Sequence, residues 1–114
     1  MTREQRKFPR IPQSFRTAYR LVGDVMGFWR DVNTLNLSAG GMRFRDTAPL
    51  QLGTIVDLQL QLPTMKDPLA LRGQVVWSQM QASGVTEYGV EFTESTPDQQ
   101  MQIDEFIEFL RKRV

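Results

Sequence analysis

Between Ile55 and Leu62, apolar side chains return on every second residue, with Val56, Leu58, Leu60 and Leu62 interleaved with Ile55, Asp57, Gln59 and Gln61. A period of two belongs to a strand with one buried and one solvated face, whereas a helix needs a period near 3.6. Phe15, Thr17, Tyr19 and Leu21 repeat the pattern against Arg16, Ala18 and Arg20, and Tyr88, Val90 and Phe92 repeat it against Gly89 and Glu91. Further strands are expected from Phe28 to Leu35, from Met42 to Arg45 and from Leu69 to Gln81. In the last of these, Leu69, Leu71, Val75 and Trp77 are expected on one face, and Gly73 marks a bulge or a close backbone approach. Gly23 to Gly27, Asn36 to Gly41, Pro63 to Pro68 and Ala82-Ser83-Gly84 read as turns or loops.

The period changes at the C-terminus. Ser95 or Thr96 can cap a helix, with Pro97 in its first turn and Asp98 at the positive end of its dipole. Ile103, Phe106, Ile107, Leu110 and Val114 recur at helical spacing, and Arg111, Lys112 and Arg113 fall at the negative end. Six short strands and one closing helix, spanning about residues 96–113, predict a mainly β fold: a small six-stranded antiparallel β-barrel with a C-terminal α-helix. The 114 residues are enough for one domain with one core.

Composition removes much chemistry. The chain has no cysteine and no histidine, so thiolate metal sites, Cys nucleophiles and Ser-His-Asp triads are excluded. Asp31, Asp46, Asp57 and Asp67 form no recognisable catalytic pair, and no phosphate-cradling or metal-ligand motif appears. No apolar run can span a membrane and none resembles a signal peptide. The expectation is a cytoplasmic binding module, not an enzyme, with no metal and no cofactor.

Charge is unevenly spread. Residues 1–20 carry Arg3, Arg6, Lys7, Arg10, Arg16 and Arg20 against Glu4 alone, a net +5, while the other 94 residues carry eight basic and twelve acidic side chains. Such a segment is either a solvated tail or an anion site. Pro9 and Pro12 keep Arg6-Lys7-Phe8-Pro9-Arg10-Ile11-Pro12 out of a helix. In an extended segment the α-carbons of Arg6 and Arg10 are up to about 13 Å apart, which suits a dinucleotide better than one phosphate. An arginine fork can grip phosphate, pair with guanine O6 and N7, or stack on a purine. Residues 1–12 are therefore set apart as a flexible basic strap, with 13–114 as the barrel domain.

Asn36-x-Ser38-x-Gly40-Gly41 follows one strand and precedes another. As a turn, Asn36 makes an Asx-type hydrogen bond, Ser38 bonds locally and the glycines supply positive φ. As a site, Asn36 and Ser38 offer short, fixed hydrogen-bonding groups, and the bare glycines let a ligand approach the backbone.

Taken together, Arg6-x-x-x-Arg10 and Asn36-x-Ser38-x-Gly40-Gly41, with the Arg-Lys-x-x-Arg-Ile-Pro form of the first and the later Tyr88-Gly89-Val90-Glu91-Phe92 strand, resemble the bacterial PilZ domain family. The resemblance runs from about Arg6 to the final helix. It implies a receptor for the second messenger cyclic di-GMP: Arg6 and Arg10 on phosphates and guanine edges, Asn36 and Ser38 on base and phosphate, Gly41 in the tight turn beneath the ligand, and Gly40 among the ligand-binding positions. Lys7, Arg43 and Trp77 are further candidates, with the competing readings of a solvated lysine, an outward strand residue and a core residue; Trp29 reads as packing or a loop cover. With five residues ahead of Arg6, the expectation is signalling in trans to a separate effector protein after ligand orders the strap. The alternatives are a PilZ-type interaction module that binds no nucleotide and a barrel for single-stranded nucleic acid. The net acidic barrel argues against any nucleic-acid polymer as partner.

Overall fold

The computed structural model describes residues 15–24, 26–62 and 65–112. The strands are β1 (Phe15–Leu21), β2 (Arg30–Ser38), β3 (Gly41–Asp46), β4 (Ile55–Leu60), β5 (Leu69–Met80) and β6 (Thr86–Phe92), followed by α1 (Pro97–Lys112). They close into one antiparallel barrel in the order β1-β2-β3-β6-β5-β4, so every strand has two partners and no edge is left open. This is the mainly β architecture that the alternation predicts.

Tyr19, Met42, Phe44, Val56, Leu58, Leu60, Leu62, Leu69, Leu71, Val75, Tyr88, Val90 and Phe92 line the interior. Ile103 and Phe106 of α1 join the same cluster, with Ile107 and Leu110 packed against it. Val114 lies outside the described residues. Inside the barrel, the hydroxyls of Thr17 and Thr34 hydrogen-bond to each other across β1 and β2, satisfying two otherwise buried polar groups. Thr96 is the helix cap. Its Oγ1 accepts from Gln99 N–H at 3.1 Å and its own N–H donates to Gln99 Oε1 at 3.0 Å, a reciprocal capping box.

Two bulges correct the expected strand faces. β2 begins at Arg30, not Phe28, and runs through Asn36 to Ser38, so both residues belong to a strand and the turn shrinks to Ala39-Gly40. Its register shifts between Thr34 and Asn36. Thr34 is buried, Leu35 and Asn36 are both exposed, and Leu37 returns to the core. The second shift lies between Val75 and Trp77, not at Gly73. Because Val76 is the extra residue, Trp77 faces outward and not, as simple alternation predicts, into the core beside Val75. Gly73 instead marks the close approach: a Cβ there would crowd the Val90 side chain and the Glu91 carbonyl.

Candidate functional site

The bulges align residues from four strands across the outer wall. Asn36 on β2 pairs with Arg43 on β3, Arg43 with Gly89 on β6, and Gly89 with Trp77 on β5. Three inter-strand steps make this row about 14 Å wide, close to the span an extended Arg6–Arg10 segment can cover. Two residue pairs along, beyond Leu37 and Met42, Ser38 stands opposite Gly41.

Gly89 makes room for Trp77. A Cβ at position 89 would collide with the indole Nε1 and lie 2.5 Å from Cε2 and 2.8 Å from Cδ1. The indole therefore lies flat on bare backbone. Arg43 reaches over it from the other side, with Cζ 5.3 Å from the ring centroid, within cation–π range.

Sequence reasoning missed two residues here. Glu87, two positions before Gly89 on the same face of β6, has a side chain only 13% exposed; its carboxylate lies 3.6 Å from Arg43 Nη1 and accepts from Arg45 Nε at 3.3 Å. The available signal was the Arg43-x-Arg45 spacing, which puts both arginines on one strand face. Their shared acid comes from a strand more than forty residues away.

The turn differs from its sequence reading. Ser38 does bond locally: its Oγ accepts from Gly40 N–H at 3.3 Å and donates to the Gly41 carbonyl at 3.4 Å. Among the described residues the Asn36 amide has no hydrogen-bond partner, so the expected Asx bond is not made. Neither Gly40 nor Gly41 has positive φ; that conformation falls on Gly23, Gly27, Gly53 and Gly84. Gly41 opens β3 and is not in the turn. A Cβ on it would run into the Val90 carbonyl oxygen, whereas a Cβ on Gly40 would meet nothing within 4 Å. Arg6, Lys7 and Arg10 lie outside the described residues.

Two charged clusters elsewhere support the frame. Asp46 takes a two-pronged pair from Arg30, at 2.8 Å to each carboxylate oxygen, and a 2.6 Å bond from the Tyr19 hydroxyl. Burial pushes the Asp46 carboxyl up, but bonds from Arg30, Tyr19 and the Thr47 and Ala48 backbone outweigh it and hold its pKa at about 2. Burial, then Asp46, pushes the Tyr19 hydroxyl far above its usual value. On the opposite wall Asp57 bridges Arg20 at 3.5 Å and Arg72 at 3.0 Å. There Arg20 covers the half-exposed Trp29 at 4.5 Å, so Trp29 packs against a surface cation. The described residues contain no group of three acidic side chains placed to hold a metal, and no described helix is long and apolar enough to cross a membrane.

A family model described as "PilZ domain" matches residues 4–109. The chain belongs to the PilZ domain family. Its fold is similar to the PilZ domain of Escherichia coli YcgR, solved with c-di-GMP: TM-score 0.67, 15% identity, covering 96% of this chain and 94% of that one. It is also similar to Bacillus subtilis MotI/DgrA, an inhibitor of motility, with TM-score 0.68, 20% identity, and 97% and 54% of the two chains covered. K. pneumonia MrkH gives TM-score 0.69 and 16% identity, with 99% and 51% covered. This PilZ chain thus spans about half the length of MotI and MrkH. A search of curated protein sequences gives no match.

Proposed function

We propose that this PilZ domain is a receptor for cyclic di-GMP, bound on the wall that carries Asn36, Ser38, Arg43 and Trp77. The observation that carries the reading is the alignment of Asn36, Arg43, Gly89 and Trp77 in one outward row, which two bulges create at the expense of regular pairing. The row provides what a guanine dinucleotide needs: an amide without a partner among the described residues, a cation, and an indole on a bare backbone floor. Family membership supports the same ligand, since the PilZ domain of YcgR was solved with it.

In this reading Arg6 and Arg10, on a basic strap of residues 1–12, close over the ligand and contact phosphates and guanine edges, with Lys7 adding charge. Asn36 and Ser38 contact base and phosphate from below, Gly40 leaves space for the ligand, and Gly41 keeps β3 close against β6 beneath it. Arg43 and Trp77 complete the floor. Closing the strap presents a new surface to an effector protein in the cytoplasm, and the domain performs no chemistry on the nucleotide.

Thermal unfolding with added ligand tests this. At a hundredfold excess over Kd, binding adds about 2.7 kcal/mol to stability. The melting midpoint then rises by about 11 °C, from roughly 2.1 cal/mol/K of unfolding entropy per residue. A midpoint unmoved by millimolar cyclic di-GMP contradicts the proposal and favours the interaction module that binds no nucleotide.

A further inference from the structure

Arg43 stands between Asn36 on β2 and Gly89 on β6, so on the β6 side no side chain directly across fixes the direction of its own. Its contacts come from either flank. On one side lies the Trp77 indole on β5, 5.3 Å from the guanidinium carbon; on the other is Glu87, 3.6 Å from Nη1. Glu87 is itself tied down, because Arg45, its direct partner in the ladder, donates to the same carboxylate. An acid only 13% exposed requires cationic partners, and here both partners are half-exposed arginines on a neighbouring strand.

We infer that Glu87 is a positioning residue: its carboxylate holds the Arg43 guanidinium against the Trp77 indole, so that cation and ring are set before a guanine base arrives. A free arginine would lose its rotamer freedom when ligand binds, and that loss would weaken binding. Arg43 has already lost it. Arg45 does not touch the indole; it anchors the acid, and through the acid it steadies Arg43. The inference rests on the cyclic di-GMP reading for its consequence and on the ligand-free geometry for its substance.

The experiment uses the whole chain in a Trp29→Phe background, leaving Trp77 as the single tryptophan. Glu87→Gln, Arg43→Ala and the double variant are compared first without ligand. Glu87→Gln is expected to shift Trp77 emission in the same direction as Arg43→Ala and to add nothing in the double variant. Titration with cyclic di-GMP is then expected to show Glu87→Gln weakening affinity about fivefold, the size of a partly exposed ion pair, again with no further loss once Arg43 is gone. In the unsubstituted chain, NMR is expected to show the Arg43 Hη1 protons, which face Glu87, exchanging with water more slowly than in free arginine.

Unchanged Trp77 emission overturns the inference, as does a Glu87→Gln effect that persists without Arg43, tighter binding by Glu87→Gln, or free-arginine exchange at Arg43. If the parent chain binds no cyclic di-GMP, the receptor reading falls, while the ligand-free emission and the exchange rate still decide the role of Glu87.

Discussion

Replacing Gly41 by alanine drives a methyl group into the backbone of β6, which has no side chain there that can turn away. The new Cβ would overlap the Val90 carbonyl oxygen and lie 3.3 Å from Val90 C and 3.4 Å from Glu91 Cα. Relief requires β3 to draw back from β6 where Gly41 pairs with Glu91, beside Met42 and Val90 of the core. Overpacking of this kind costs about 1–3 kcal/mol. With roughly 2.1 cal/mol/K of unfolding entropy per residue, a cost of about 2 kcal/mol lowers the midpoint by about 8 °C. Gly40→Ala is the control, since its Cβ meets nothing within 4 Å and its φ is not left-handed. It should shift the midpoint by no more than about 2 °C, from the ±0.5 kcal/mol typical of surface changes. In the receptor reading that same methyl obstructs the ligand, so Gly40→Ala should lose affinity while keeping its stability. Circular dichroism melts of the two variants decide the matter. A Gly41→Ala midpoint within about 2 °C of the parent, or an equal loss in Gly40→Ala, would refute the reasoning.

Further expectations concern acid, stacking and salt. The folded pKa of Asp46, about 2, is below its ordinary 3.8. Its stabilisation is therefore complete above pH 3.8 and lost as pH falls from there to 2, in total about 2 kcal/mol at 1.36 kcal/mol per unit. Melts between pH 2 and 5 should show this limb, and Asp46→Asn should flatten it; an unchanged limb in the variant contradicts the assignment. Tyr19, whose folded pKa is raised from 10.0, predicts a second loss of stability as pH rises above 10, absent in Tyr19→Phe. Trp77→Ala should weaken cyclic di-GMP binding by about 1–3 kcal/mol, the usual value of base–aromatic stacking. It should leave the melt nearly unmoved because the indole lies outside the core, and a melt that falls as for a core deletion would return Trp77 to a packing role. If the basic segment of residues 1–12 attracts the ligand through charge, affinity should also decline as salt rises; equal dissociation constants at low and moderate salt would count against that attraction.

The fold was legible wherever the pattern is local. Phe15–Leu21 is one uninterrupted alternation, and its strand has those bounds. The Thr96-Pro97-Asp98-Gln99 cap and the 103, 106, 107 and 110 spacing carry α1 in the same way. Bulges are not local. In Thr34-Leu35-Asn36 and Val75-Val76-Trp77 nothing in the run itself shows which residue is supernumerary, because the answer depends on β3 and β6 as partners. That is why simple alternation puts Trp77 on the core face and composition puts Asn36 in a turn. Composition suggests conformational freedom as the role of the motif glycines, but Gly41 answers to a neighbouring strand and not to φ. Glu87 was invisible for a related reason: an acid in a strand has no distinguishing mark until register sets it between Arg43 and Arg45.

The central claim is tested most directly by isothermal titration of the full chain with cyclic di-GMP, using cyclic di-AMP and GTP as controls and Arg10→Ala as the variant. The account predicts saturable binding near or below micromolar, about −8 kcal/mol, absent for the controls. In folded Arg10→Ala the affinity should fall by roughly ten- to a hundredfold, as expected for one lost arginine contact. No heat and no saturation from a folded sample would contradict it.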